Sequence, residues 1–172
     1  MLKNKKQLVS LICTAGGVGK RFLSKNPKQF KQINGKEIIN LSLKKFDLFD
    51  IKQIVVTAPA QFVEQTKSVI RKNKMNIKMS VVEGGETRAE SVKKGVHALE
   101  PCDVVLVHDA VRPFVNEALI QRVIDAAQVY GAVIPGCGIV ETVKRIKNNQ
   151  VIETVPREEP VRIQTPQAFW FE

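Results

Sequence analysis

Apolar and polar positions along this chain alternate between two periods. Leu8-Val9-Ser10-Leu11-Ile12-Cys13 is a short apolar run, Ile51 to Thr57 is rich in β-branched residues and stops at Ala58-Pro59, and Ile77 to Val82 and Val104-Val105-Leu106-Val107 repeat the theme. Runs of this length and composition predict buried strands. Between them, apolar residues recur at helical spacing: Ile38, Ile39, Ser42, Leu43 and Phe46, then Phe62, Val63, Thr66, Val69 and Ile70. Ala89, Val92, Val96 and Leu99 mark another helix face, as do Leu119, Ile120, Val123, Ile124 and Ala127, ended by Gly131 ahead of Ala132-Val133-Ile134-Pro135. Strands alternating with helices predict an α/β fold, a Rossmann-like, mainly parallel sheet with helices on both faces. Ligands of such sheets bind at the carboxyl ends of the strands. Three polar loops fall at that edge: Ala15 to Lys28, Gly84 to Ser91, and His108 to Pro113.

The rhythm breaks between Val140 and Ile163. Glu141 to Ile146 alternates, Lys147-Asn148-Asn149-Gln150 supplies a turn, and Val151 to Val155 alternates again, which predicts a β-hairpin. A hairpin cannot bury itself, so this β-arm, at about 138–163, calls for another surface and makes a homodimer the expected state. After Thr165-Pro166-Gln167, the segment Ala168-Phe169-Trp170-Phe171-Glu172 reads as the start of a helix.

Length and composition suit one folded domain over 1–172, with 44% hydrophobic and 26% charged residues and no repeat or low-complexity tract. The net charge of +10 would serve nucleic acid or small phosphates equally. Because the basic residues are scattered, and one Trp and one Tyr make no stacking platform, nucleic acid is not the expected partner. Cys13, Cys102 and Cys137 lack the paired spacing of a zinc site or redox dithiol, which fits a reducing, cytoplasmic compartment. Lys3-Asn4-Lys5-Lys6 before the first apolar run superficially resembles a signal peptide, but the run is too short, and nothing approaches the ~20 apolar residues of a membrane span.

The first loop, Thr14-Ala15-Gly16-Gly17-Val18-Gly19-Lys20-Arg21, follows a strand, and its small residues let backbone N–H groups approach a phosphate or base. Three readings stand. A Walker A loop would need a Ser or Thr where Arg21 stands, and a dinucleotide-binding turn would need a third glycine and a downstream acid that are not evident. The third reading joins the glycines to Lys20, Arg21 and Lys28 as a cluster of cations around a triphosphate. The bland alternative is a loop of solvated charges.

Gly16-Gly17-Val18-Gly19-Lys20-Arg21, Pro27-Lys28-Gln29-Phe30, Gly84-Gly85-Glu86-Thr87-Arg88-Ala89-Glu90-Ser91-Val92, Val107-His108-Asp109-Ala110-Val111-Arg112-Pro113 and Gln164-Thr165-Pro166-Gln167 follow one another in this order. In these five motifs the chain resembles the 2-C-methyl-D-erythritol 4-phosphate cytidylyltransferases, and also their relatives, the ribitol 5-phosphate cytidylyltransferases. The resemblance implies a fold of the nucleotide-diphospho-sugar transferase type and transfer of CMP from CTP to a polyol phosphate, in non-mevalonate isoprenoid precursor synthesis. It implies that Ala15, Gly16, Gly17 and Gly19, with Gly85, Glu86, Ser91 and Ala110, hold the nucleotide, and that Arg21 and Lys28 are the catalytic cations. Asp109 then faces the substrate and a magnesium ion, Arg112 faces the substrate phosphate, and Thr165 belongs to the same subsite. Thr142, Lys144 and Arg157 match positions that bind the polyol phosphate, some reaching into the neighbouring subunit's site. Asp109 and Arg112 could instead pair only with each other, Arg88 could brace the loop, and His108 is expected as a strand-end residue rather than a base, with His97 structural.

The chain departs from the family pattern at Glu141, where an aspartate is usual, and at Pro156, where an acidic residue is common. The resemblance also implies that family chains continue past residue 172 with a last strand, a closing helix and a late lysine that contacts phosphate. A form ending at 172 is expected to expose apolar surface around Trp170 and to catalyse weakly. Two rivals remain on sequence: the ribitol phosphate enzyme, favoured by Val111-Arg112-Pro113-Phe114, and a non-catalytic nucleotide-binding module.

Overall fold

Strand β1, Val9–Thr14, is buried from Val9 through Cys13, as an apolar run flanked by sheet on both sides should be. The computed structural model describes residues 7–16 and 27–171. Strand β1 lies between β4 (Ile51–Ala58) and β6 (Val104–Asp109), parallel to both, and β5 (Lys78–Glu83) extends the parallel set beyond β4. The helices between them are α1 (Ile38–Lys44), α2 (Val63–Ile70), α3 (Arg88–His97) and α4 (Glu117–Tyr130). A small hairpin, β2 (Gln32–Ile33) and β3 (Lys36–Glu37), precedes α1 and turns through Asn34-Gly35, both at positive φ. The remaining strands are β7 (Ala132–Val133), β8 (Gly136–Gly138), β9 (Val143–Lys147), β10 (Gln150–Val155), β11 (Val161–Ile163) and β12 (Gln167–Trp170).

The main sheet runs β5-β4-β1-β6-β12-β7. Its side chains alternate between two packed layers, as period-two geometry requires. Leu11, Cys13, Ile54, Val56, Val104 and Leu106 share one core with Ile39 and Leu43 of α1, Val69 and Ile70 of α2, and Ile120 and Val123 of α4. Ile12, Val105 and Val107 face the other way, where Val92 and Val96 of α3 cover them. The expected helices on both faces are therefore present, and α3 alone covers the second face among the described residues.

Two expectations need correction. The segment after Gln167 is a strand and not a helix start: β12 enters the sheet antiparallel between β6 and β7. Ala168 is fully buried in the first core while Phe169 and Phe171 join the second, a two-residue period that aromatic side chains favour in strands. Trp170, 51% exposed, points to the side of Ala168 and lies against Gly131, where an added Cβ would stand 3.2 Å from the indole. The hairpin β9–β10 forms as expected, with Asn148 and Asn149 at positive φ in the turn, but its stem begins at Gly136 because β8 pairs antiparallel with β11. Both hairpin strands are almost wholly exposed. Among the described residues no helix is long and apolar enough to cross a membrane, and Cys13, Cys102 and Cys137 are free thiols.

Gly95 sets how closely α3 approaches the sheet. A Cβ there would stand 2.8 Å from Ile12 Cγ2 and 3.2 Å from Thr57 Cγ2. In Gly95→Ala the gain in helix propensity, up to about 1 kcal/mol, opposes an overpacking cost of about 1–3 kcal/mol. We expect net destabilisation of about 1 kcal/mol in urea unfolding; a stabilised variant would show that α3 shifts freely.

Candidate active site

From β1 the chain winds to β4 and β5 on one side, then returns past β1 to β6 on the other, so the winding reverses between β1 and β6. A crevice opens where strand order reverses, at the carboxyl ends of the two strands. The parallel register aligns Thr14 with Asp109 at that point, and Thr14 Oγ1 donates to Asp109 Oδ1 at 3.1 Å. A cavity of about 460 Å3 lies over them, lined by Thr14, Gly16, Gly85, Glu86, Thr87, Arg88, Ser91, Asp109 and Val111.

Asp109 is held by two guanidiniums. Arg88 Nε donates to Oδ1 at 3.1 Å and Arg112 Nε to Oδ2 at 2.9 Å. Burial alone would raise the Asp109 pKa, but the Arg112 hydrogen bond, the Arg88 charge and hydrogen bond, and the Thr14 hydroxyl outweigh it and hold the carboxyl below its usual range. The guanidiniums are in turn anchored to the β11–β12 segment, Arg112 by Gln164 and Arg88 by Gln167 at 3.2 Å. Two cations around one carboxylate leave the cluster with a net positive charge, suited to phosphate.

The loop from Gly84 to Ser91 is shaped by packing rather than by unusual φ. At Gly85 a Cβ would stand 2.2 Å from Glu90 Cβ, and at Gly84 one would stand 2.9 Å from Ser91 Oγ. Its N–H groups are used internally: Gly85 donates to Ser91 Oγ at 3.0 Å and Glu86 to Glu90 Oε2 at 2.8 Å. Thr87 and Glu90 close a capping box at the start of α3. Carbonyls of the loop are engaged as well, Gly84 accepting from Lys94 Nζ at 2.8 Å and Thr87 from Ser91 Oγ at 2.9 Å, and the exposed Glu86 side chain lines the cavity. A second pin holds the first loop, where Gln29, buried, donates to the Ala15 carbonyl at 2.9 Å.

Beneath the Asp109–Arg112 turn lies His108, fully buried, edge-on to Phe46 at 5.1 Å between ring centroids. Its Nε2 is 3.2 Å from the Arg112 carbonyl and its Nδ1 is 2.9 Å from Thr165 Oγ1. A carbonyl only accepts, so the hydrogen-bond network assigns the proton to Nε2 and makes Thr165 the donor to Nδ1. Burial pushes the His108 pKa down to about 4, against the smaller opposing effect of its bond to the Arg112 carbonyl.

The structure brings Gly16, Gly85, Glu86, Ser91 and Asp109 together around one cavity. Arg112 and Thr165 line an adjoining groove with Val111, Phe114 and Gln164. Lys28 is half-buried in a short 3-10 turn after Pro27. Gly17, Gly19 and Arg21 lie outside the described residues. Ala15 and Ala110 are buried at the strand ends. Ala15 is buried, with its N–H donated to Thr57 and its carbonyl held by Gln29. Ala110 is fully buried, donates its N–H to Thr14 and accepts from Ser42 Oγ at 2.7 Å, so it forms the floor and does not face the cavity. Thr142, Lys144 and Arg157 are exposed on or beside the arm, and none lines the cavity; Lys144 Nζ donates to Thr154 across the hairpin at 2.7 Å. Sequence reading passed over Thr14, Gln29, Gln164 and Gln167 as site-builders, although Gln29, Gln164 and Gln167 stand inside the motifs quoted above.

For a divalent ion the fit is limited. Among the described residues no group of three or more His, Cys, Asp or Glu side chains could hold a metal. Asp109 ends β6 and already accepts from three donors, while Glu86 is the other carboxylate lining this cavity among the described residues. That donor set suits an ion bound mainly by substrate phosphates, with Asp109 contributing at most one oxygen.

A family model described as 2-C-methyl-D-erythritol 4-phosphate cytidylyltransferase (IspD) matches residues 9–172. The chain is 36% identical over 168 residues to the 2-C-methyl-D-erythritol 4-phosphate cytidylyltransferase of Clostridium botulinum Eklund 17B, covering 96% of this chain and 75% of that protein. To the protein of the same name from C. botulinum Langeland it is 40% identical over 166 residues, covering 93% and 71%. The crystal structure of 4-diphosphocytidyl-2C-methyl-D-erythritol synthase from Anaerococcus prevotii superposes with a TM-score of 0.79 at 30% identity, over 95% of this chain and 71% of that one.

Because an unfolded histidine takes up a proton near pH 6.5 and buried His108 does so only near 4, stability falls as pH drops through that window. The contribution is fully present above 6.5 and is worth about 3 kcal/mol once lost. His108→Gln should flatten the stability profile between pH 6.5 and 4 by about 1.4 kcal/mol per pH unit in urea titrations. An unchanged slope would show that His108 is not protonated differently in the two states.

Proposed function

The chain belongs to the 2-C-methyl-D-erythritol 4-phosphate cytidylyltransferase family, and we propose that it transfers CMP from CTP to 2-C-methyl-D-erythritol 4-phosphate. The products are 4-diphosphocytidyl-2-C-methyl-D-erythritol and pyrophosphate, and the reaction serves non-mevalonate synthesis of isoprenoid precursors in the cytoplasm. The observation that carries the reading is the Arg88–Asp109–Arg112 cluster at the sheet's reversal point, facing a cavity walled by the Gly84–Ser91 loop.

Chemistry at this site needs no side-chain nucleophile. An ionised oxygen of the polyol phosphate attacks the α-phosphorus of CTP in line, a new phosphorus–oxygen bond forms, and the bond to the β-phosphate oxygen breaks to release pyrophosphate. Negative charge spreads during this step, so fixed cations accelerate it by being in place beforehand. Lys28 and Arg21 take that role, and Arg112 receives the polyol phosphate. The carbonyls and Glu86 side chain of the glycine loop suit the amino edge of cytosine, and Gly16 and Gly85 leave room for the base. A magnesium ion held mainly by the triphosphate, with at most one oxygen from Asp109, would supply charge that offsets the leaving pyrophosphate.

Thr142, Lys144 and Arg157 are exposed and stand outside this chain's cavity, and in this reading some of them serve the neighbouring subunit's site in a homodimer. Ile146 and Val151 form a cross-strand pair on the arm, 64% and 61% exposed, the kind of apolar surface that a partner covers.

Pyrophosphate release tests the reading directly: we expect it with CTP plus 2-C-methyl-D-erythritol 4-phosphate, whereas release with ribitol 5-phosphate alone would refute the substrate. Lys28→Ala should lower kcat by roughly 100-fold or more, with CTP affinity changed only a few-fold. Equal turnover would remove Lys28 from the mechanism. The double variant Ile146→Asp, Val151→Asp should sediment as a monomer and lose polyol-phosphate turnover while still binding CTP. A dimer that survives both charges would place the interface elsewhere.

A further inference from the structure

We propose that the buried His108–Thr165 pair is a positioning element for the polyol-phosphate subsite, fixing the turn that carries Asp109 and Arg112 without touching substrate through His108. The inference rests on the reading of Arg112 given above.

The turn is held from two sides. On the cavity side, the Arg112 guanidinium meets the Asp109 carboxylate at 2.9 Å and Gln164 beside it. On the buried side, a directed chain spans the same residues. The Asp109 N–H lies 3.4 Å from Thr165 Oγ1, the Thr165 hydroxyl donates to His108 Nδ1 at 2.9 Å, and His108 Nε2–H donates to the Arg112 carbonyl at 3.2 Å. Both ends of the turn are thereby tied to one imidazole, and the imidazole to a segment 57 residues away. Thr165 and Gln164 are neighbours, so one short stretch fixes the turn's backbone through Thr165 and its guanidinium through Gln164.

Stability does not account for a histidine here. Val104, Val105, Leu106 and Val107 precede it in β6, all buried, and an apolar side chain would extend that run against Phe46 without desolvating a polar ring. Hydrogen bonds that replace bonds to water contribute modestly to stability, and those to the Arg112 carbonyl and the Thr165 hydroxyl offset the cost of burying the ring and those groups rather than adding a surplus. What the imidazole supplies and a hydrocarbon cannot is direction: a donor aimed at one carbonyl and an acceptor aimed at one hydroxyl. Ser42, donating to the Ala110 carbonyl at 2.7 Å, pins the middle of the same turn. Displacement of a phosphate-binding group by a fraction of an ångström is costly for in-line transfer, because reacting atoms must stand in near-attack geometry.

His108→Phe removes both ring hydrogen bonds and keeps the aromatic contact with Phe46. In steady-state assays its kcat/KM for the polyol phosphate should fall roughly 10- to 100-fold, mostly through KM, while equilibrium CTP binding stays within about twofold. Thr165→Val should match it, the double variant should be no worse than either single change, and Thr165→Ser should recover most of the loss seen in Thr165→Val. Parallel loss of CTP binding, or additive losses in the double variant, would reduce the pair to general structural support and overturn the proposal. If the wild-type chain releases no pyrophosphate from any polyol phosphate, the functional reading fails, and the positioning claim is then decided by NMR. The Arg112 Nε–H resonance should exchange with solvent faster in His108→Phe than in wild type, and unchanged exchange would overturn it.

Discussion

The parallel pairing of β1 with β6 is the constraint on which the site depends. It sets Thr14 opposite Asp109 at the point where the sheet's winding reverses, and that pairing is central: β1 and β6 are the middle strands of the six, and β4 and β5 continue the parallel order beyond β1. A carboxylate at this edge would be expensive to bury alone. Here its oxygens accept from Thr14, Arg88 and Arg112, so the same contacts that offset burial collect two guanidiniums where an anionic ligand enters. The net positive charge of the Arg88–Asp109–Arg112 cluster is thus a by-product of satisfying Asp109. It needs no excess of lysines nearby, which is why the scattered charge along the chain is a poor guide to the site.

Small residues do a different job on the opposite wall. Gly84 and Gly85 are not at positive φ; each lies so close to α3 that a Cβ would collide with Ser91 or Glu90. Close approach lets Ser91 take the Gly85 N–H and Glu90 those of Glu86 and Thr87, turning a glycine-rich segment into a wall held by its own hydrogen bonds. A glycine-rich loop that used its N–H groups to cradle phosphate would leave them free for the ligand. The distinction between such a nest and an internally bonded wall is visible only in the hydrogen bonds.

Most of the sheet and all four helices were legible because their periodicities are unambiguous and long enough to exclude the alternative. The failures share a cause. Ala168-Phe169-Trp170-Phe171 is too short for its period to decide, and a slot between β6 and β7 makes it a strand. β8 has the sequence Gly136-Cys137-Gly138, without an apolar pattern, and is a strand only because β11 pairs with it. Site residues divided the same way. Gly16, Gly85, Glu86, Ser91 and Asp109 stand in ordered motifs at strand ends, whereas the partnerships Arg112–Gln164 and Arg88–Gln167 join residues 52 and 79 positions apart through side-chain types common anywhere. Ala110 sits inside one of these motifs with its side chain in the core, which the motif alone does not reveal.

The arm and the site are one mechanical unit. Strand β11 returns from the hairpin and runs straight into Gln164 and Thr165, while Gln164 N–H donates to the Pro135 carbonyl at 2.8 Å at the arm's other root. A two-stranded ribbon is marginal in water, so whatever surface packs on β9–β10 also determines where the ribbon points. Through β11 that direction reaches Gln164 and Thr165, which hold the Arg112 side chain and the Asp109 backbone directly after the strand ends at Ile163. In a dimer built through the arms, each subunit's grip on its partner would therefore bear on its own phosphate-binding turn as well as on the partner's. The arrangement explains why a protruding hairpin, exposed on both strands, is joined to the sheet by so short and so extensively hydrogen-bonded a root.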